Sequence, residues 1–165
     1  MSKVDKRPIT RDKIEKNEKA GAKGARPDSA GAQTNQSKTG TYIFKDGSRY
    51  EGEYKEIEGG VIVRSGVGKY TCGTTKSVYI GAWELDKMHG KGRLEFASGA
   101  FYDGMWKENQ YTGPGTYRWP DSSTFVGEWL ENGMNGPGKY TDASGQGWIG
   151  AIFKGARATL APELQ

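Results

Sequence analysis

A short word recurs down this chain at a fixed interval. It reads Tyr79-Ile-Gly-Ala-Trp83, Tyr102-Asp-Gly-Met-Trp106, Phe125-Val-Gly-Glu-Trp129 and Trp148-Ile-Gly-Ala-Ile152, so each step is 23 residues. A second word follows eleven residues after each of the first three starts: Gly90-Lys-Gly92, Gly113-Pro-Gly115 and Gly136-Pro-Gly138. A constant period with a constant internal grammar describes stacked structural units, each leaning on its neighbours. Such arrays present surfaces more readily than enclosed pockets. An earlier unit starts at Tyr50 and is stretched: its Gly66-Val-Gly68 comes 16 residues after Tyr50, which puts five extra residues within Glu56–Ser65.

Within each unit the spacing predicts two short strands. Tyr79, Gly81 and Trp83 fall on one face of an extended chain, and Gly90, Gly92, Leu94 and Phe96 share a face by the same alternation. Asn132-Gly133 and Ser98-Gly99 are turn words between strands. Successive hairpins predict an all-β fold, an elongated single-layer antiparallel sheet of tandem hairpins about 50 Å across five units. A glycine inside a strand costs backbone entropy. Its recurrence here implies bare backbone on which an aromatic ring of a neighbouring unit rests. Pro114 and Pro137 lack an N–H and belong where the ladder is interrupted.

Composition sets the limits. With 26 glycines in 165 residues the chain is too glycine-rich for a helical bundle, and at 12% aromatic it is too aromatic for simple disorder. No run approaches the roughly 18 apolar residues of a membrane span. The basic N-terminus has no apolar segment of a secretory signal. Cys72 is the only cysteine, so no intrachain disulfide forms; this fits a reducing compartment and points to the cytoplasm. Residues 1–40 carry ten Lys/Arg against five Asp/Glu, while the remainder is nearly neutral. The chain therefore divides into a basic, disordered tail over 1–38, with a marginal helix around Ile9 to Lys19, a repeat array over 39–155 and a C-terminal tail over 156–165.

The aromatic-x-Gly-x-aromatic strand followed by Gly-x-Gly, in a unit of 23 residues, resembles the MORN-repeat pattern. The units starting at Tyr79, Tyr102 and Phe125 match it fully, Tyr50 starts a stretched unit and Trp148 a half unit. The resemblance implies a twisted hairpin array with a groove. It also implies a non-catalytic scaffold in ciliary, flagellar or other cytoskeletal assemblies.

Catalytic chemistry has little to stand on. His89 is the only histidine and reads as a turn residue; Asp86 and Asp103 read as ordinary turn or strand acids. One Cys and one His cannot build a structural zinc site. Gly66-Val-Gly68-Lys69-Tyr70 lacks the glycine and the Ser/Thr of a phosphate-binding loop, and no Gly-x-Gly completes a dinucleotide fingerprint. The reading is no enzyme, no cofactor, no metal and no nucleic acid.

Two surface features remain. Lys69, Lys91, Arg93, Arg118 and Lys139 form columns opposite the glycines of the second strands, suited to anionic headgroups or an acidic partner. The outer side of the first strands carries Met105, Val126, Leu130, Ile149 and Phe153, grows more apolar toward the C-terminus, and reads as a protein-partner interface. The last strand is also a sheet edge open to pairing. The expected function is a scaffold or adaptor in a larger assembly; the alternative is a peripheral tether binding anionic phospholipid.

Overall fold

The computed structural model describes residues 37–152 and 159–163. The tail reading, the helix around Ile9 to Lys19 and Phe153 lie outside the described residues. Eleven strands form one antiparallel sheet in strict sequence order. They are β1 (Lys38–Ile43), β2 (Arg49–Ile57), β3 (Val61–Thr71), β4 (Val78–Glu84), β5 (Lys87–Glu95) and β6 (Phe101–Lys107), then β7 (Gln110–Arg118), β8 (Thr124–Leu130), β9 (Gly133–Thr141), β10 (Gly147–Ile152) and β11 (Thr159–Pro162). The fold is an all-β array in a single open sheet, as the hairpin spacing predicts.

The register explains the glycines. Gly40, Gly52, Gly68, Gly81, Gly92, Gly104, Gly115, Gly127, Gly138 and Gly150 lie opposite one another in succession, a row that crosses the sheet from β1 to β10. In the second strand of each unit the bare backbone carries a ring. A Cβ on Gly92 would stand 2.3 Å from the Tyr79 hydroxyl oxygen, and one on Gly115 2.4 Å from that of Tyr102. The ring belongs to the same unit as its glycine, not to a neighbour as the sequence pattern suggested. The neighbour contributes the tryptophan. Trp83, Trp106 and Trp129 donate their indole N–H to the carbonyls of Gly68, Gly92 and Gly115 in the unit before, at 3.2, 2.9 and 3.1 Å. Tyr50, Tyr79, Tyr102, Trp83 and Trp106 are thereby buried, and successive rings meet edge to face along one continuous core.

Each regular hairpin closes on two residues with positive φ: Leu85-Asp86, Glu108-Asn109 and Glu131-Asn132. That geometry matches the twist of the flanking strands, and Asp or Asn tolerates it better than most residues. Pro114 and Pro137 fall beside bulges, where the pairing of β7 with β6 and of β9 with β8 breaks register. The extra residues of the stretched unit extend the β2–β3 hairpin, from Tyr54↔Arg64 to Ile57↔Val61, and turn through the 3₁₀ segment Glu58–Gly60.

Three expectations are corrected here. His89 lies within β5 rather than in a turn, with its Nδ1 3.4 Å from Glu84. The strand carrying Trp148 is not a sheet edge, because β11 pairs with it from Trp148↔Pro162 to Ala151↔Thr159. Asp86 is not an ordinary turn acid. Its carboxylate accepts hydrogen bonds from the Arg64 backbone N–H at 2.8 Å and from Arg64 Nε at 2.9 Å, and the Arg64 side chain is buried.

Candidate partner-binding surfaces

The two columns read separately from the sequence lie on one face. Across the sheet the register runs Lys69, Ile80, Arg93, Asp103, Thr116, Val126, Lys139, Ile149. Cations and aliphatic side chains therefore share one transverse row, interrupted at its middle by Asp103 and Thr116. Ile80, Val126 and Ile149 are 53%, 51% and 48% exposed, and Val67 is also exposed. The apolar character does not rise toward the C-terminus, since Val67 and Ile80 near the start of the array are as open as Ile149.

The row brings Val126 and Ile149 to either side of Lys139. It does not include the other predicted interface residues. Met105 is opposite Lys91 in a different row, and Leu130 stands at the end of β8, beside the hairpin turn opposite Gly133. The outer face is thus a mosaic of single apolar side chains among charges. Several of the cations are neutralised in place. Arg93 pairs with Glu95 at 2.9 Å and Asp103 at 3.4 Å and lies over the Phe101 ring at 3.8 Å. Lys139 meets Glu163 at 2.6 Å; Arg118 keeps its charge and donates a hydrogen bond to the Ser122 hydroxyl at 2.9 Å. Among the described residues, Lys69 and Lys91 have no ion pair.

The inner face offers something different. Beyond the buried rings lies an open cavity of about 580 Å³, walled by Phe96, Tyr111, Tyr117, Trp119, Trp129 and Met134 among others. Its aromatic residues touch in series, and the series continues past the cavity to Tyr140: Phe96 to Tyr117 at 6.4 Å, Tyr117 to Trp119 at 4.9 Å and Trp119 to Tyr140 at 5.9 Å between ring centres. Burial pushes the Tyr111 and Tyr117 hydroxyls above the usual phenol range, so both remain neutral donors. Phe96, Tyr117, Trp119 and Tyr140 are half-exposed. The sequence pattern assigned aromatic residues to packing and so missed this wall. The signal was present: these four follow the Gly-x-Gly words and have no glycine of their own to cover.

The elements that hold the wall in place repeat with the array. Asn109 accepts from the Met88 backbone N–H at 2.8 Å and returns its own N–H to the Met88 carbonyl at 3.0 Å. Asn132 makes the same pair of bonds with Tyr111, and Asp86 with Arg64. Each hairpin turn thus clasps the unit before it. Both Asn109 and Asn132 also line the cavity.

Among the described residues no group of three or more His, Cys, Asp or Glu could hold a metal ion, and no helix is long and apolar enough to cross a membrane. Cys72 is half-buried, with the Thr75 N–H 3.4 Å from its Sγ.

The MORN repeat family pattern matches residues 39–49, 79–101, 102–124 and 125–147. No curated protein matches the chain. Among solved structures, the SAS-4 (dCPAP) TCP domain of Drosophila melanogaster, in complex with a proline-rich motif of Ana2 (dSTIL), is similar at 14% identity and a TM-score of 0.37, covering 87% of this chain and 99% of that one. Three of the matched segments coincide with the regular units starting at Tyr79, Tyr102 and Phe125, the fourth covers most of β1 and the turn to β2, and in these segments the chain carries repeats of the MORN family.

Proposed function

We propose that this protein is a non-catalytic scaffold that binds an apolar or aromatic segment of a protein partner in the inner cavity. One observation carries the reading: the open cavity walled by the partly buried rings of Phe96, Tyr117 and Trp119, which pack against the core beneath them, with Tyr140 next to Trp119. A sheet of this kind normally buries its large rings on one side. Rings that touch in series yet face solvent offer a partner large, rigid contact area at small entropic cost. The outer face, with Met105, Val126, Leu130 and Ile149, is a second contact surface in this proposal. The family resemblance supports a place in a cytoskeletal, ciliary or flagellar assembly, which imaging of the tagged full-length protein tests. The stretch from Gly92 through Asp142, with the ending Ala161-Pro-Glu-Leu, also resembles the short MORN repeat-containing protein 2, and we extend the proposal to kinship with it.

Affinity purification from native cells tests the site. Tyr117→Ala with Trp119→Ala is expected to lose a stoichiometric partner that Val126→Asp with Ile149→Asp retains. Retention by the first variant and loss by the second would move the interface to the outer face. The membrane-tether reading rests on Lys69 and Lys91, which have no ion pair among the described residues. Its test is the salt dependence of binding to vesicles containing anionic phospholipid: binding through these cations fades between low and physiological salt, whereas binding through the aromatic wall does not.

A further inference from the structure

The two ends of the sheet are complementary halves of one repeat. β1 is a second strand without its first: Gly40-Thr41-Tyr42 occupies the register positions that Gly138-Lys139-Tyr140 occupies in β9, with Gly40 opposite Gly52 as Gly138 is opposite Gly150. β10 is a first strand whose partner is not of the repeat type. Trp148-Ile149-Gly150 corresponds to Phe125-Val126-Gly127 in β8, but β11 places Leu160 where every other pair has a glycine. Among the described residues the glycine row thus ends at Gly40 with no strand beyond it, and it is blocked at Leu160.

The packing shows the same mismatch. In the complete units a Cβ on the second-strand glycine would stand 2.3 to 2.4 Å from the first-strand ring; at Gly40 the nearest atom is 3.1 Å away and belongs to Tyr54. Gly40 has no ring from a preceding first strand; Tyr42 of its own strand leans over it instead, its Cε2 and hydroxyl oxygen 3.2 Å from where a Cβ would stand. Trp148 is a ring without a seat, and it is half-exposed, whereas Tyr79, Tyr102 and Phe125 in the same position are buried. The pairing of β11 with β10 spans four residue pairs, against six for β10 with β9 and six for β1 with β2.

The geometry points to a second copy of this chain as the missing half. In this assembly β1 of one copy replaces β11 on β10 of the next, in the register of a complete unit: Trp148 opposite Tyr42, Ile149 opposite Thr41 and Gly150 opposite Gly40. The Trp148 ring then covers Gly40 as Tyr79 covers Gly92, and the glycine row runs from copy to copy. β11 is a stand-in that caps β10 in the monomer. The contact is head to tail, so each added copy presents the same free end and the assembly remains open unless its rotation closes a ring. The inference does not depend on which face binds a partner.

Disulfide trapping tests it on the full-length chain with Cys72→Ser. Residues directly opposite in an antiparallel pair have Cβ atoms about 4.5–5.5 Å apart, near the reach of a disulfide. Thr41→Cys with Ile149→Cys, oxidised with copper phenanthroline, should give a ladder of dimers, trimers and larger species that lengthens with protein concentration. Adding Gly40→Val, which puts a side chain against Tyr42 and Tyr54 where the Trp148 ring would rest, should reduce the ladder at least tenfold while the thermal melt stays a single cooperative transition. A product that stays monomeric at every concentration overturns the inference. So does dimer formation by Thr41→Cys alone at the same yield, which would mean that β1 pairs with itself, and so does a ladder unaffected by Gly40→Val.

Discussion

The stretched first unit and the regular units after it fill the same structural slot with opposite chemistry. The residue opposite the second aromatic of the unit is Met88, Tyr111 or Met134 in the regular units and Arg64 in the stretched one, opposite Tyr54. The turn residue that reaches back to clasp it is Asn109 for Met88 and Asn132 for Tyr111, but Asp86 for Arg64. The backbone bonds of the clasp are the same in all three. What changes is the charge, and it changes on both partners together. Arg64 is 1% exposed and its guanidinium lies 4.3 Å from the Trp83 ring and 5.3 Å from the Tyr70 ring. A buried guanidinium must have its charge matched and its donors satisfied, and a carboxylate in the clasp position does both. The comparison teaches that the clasp is the conserved mechanical joint of this array, while the slot above it can be apolar or ionic if its partner follows.

Breaking the ionic version on one side only should be among the most damaging changes. Asp86→Ala leaves Arg64 buried without a counter-charge and is expected to cost about 3–5 kcal/mol in urea unfolding. Truncating the aromatic lattice should cost a similar amount: Trp106→Ala removes a buried ring for about 3–5 kcal/mol. Trp83→Ala should exceed it by about 1–2 kcal/mol, because Trp83 also faces the Arg64 cation. Equal losses at the two tryptophans would show that the Arg64 contact contributes nothing. Asn109→Ala breaks the same clasp where the slot is apolar, and calorimetry should register only about 1–2 kcal/mol. The gentlest change converts one unit type into the other. Arg64→Met with Asp86→Asn should retain wild-type stability within about 1 kcal/mol or exceed it, since a buried ion pair is often replaceable by apolar packing. A loss as large as that of Asp86→Ala would mean that the stretched unit needs its charge.

Much of the fold was legible because its cause is local. The aromatic and glycine words state a close ring-on-backbone contact, and only glycine permits it, so the period of the words is the period of the hairpins. The owner of each ring was not legible: the seat glycine receives one ring from its own unit and a tryptophan N–H from the next, and the words alone do not separate the two. The clasp was half visible, as Asp or Asn recurring at 86, 109 and 132, but the switch from Asn to Asp looked like noise until Arg64 was placed beside it. β11 carries neither word and includes Pro162, so pairing over Thr159–Pro162 had no sequence signature. The candidate surfaces were the least legible part. Alternation gave the faces correctly strand by strand, but only the register shows that the cations and the exposed aliphatics share one row, and that Arg93 and Lys139 are already paired. The cavity wall draws Phe96, Tyr117, Trp119 and Trp129 from three successive units, so it exists only once they are stacked.

The central claim is that partners bind the aromatic inner cavity, and site-specific photo-crosslinking tests it most directly. A photo-reactive residue replaces Trp119 in one full-length protein and Val126 in another, and each is irradiated in native cells. The account predicts a discrete adduct to one partner from position 119 and little from position 126. An adduct from position 126 with none from position 119 would contradict it and place the interface on the outer face.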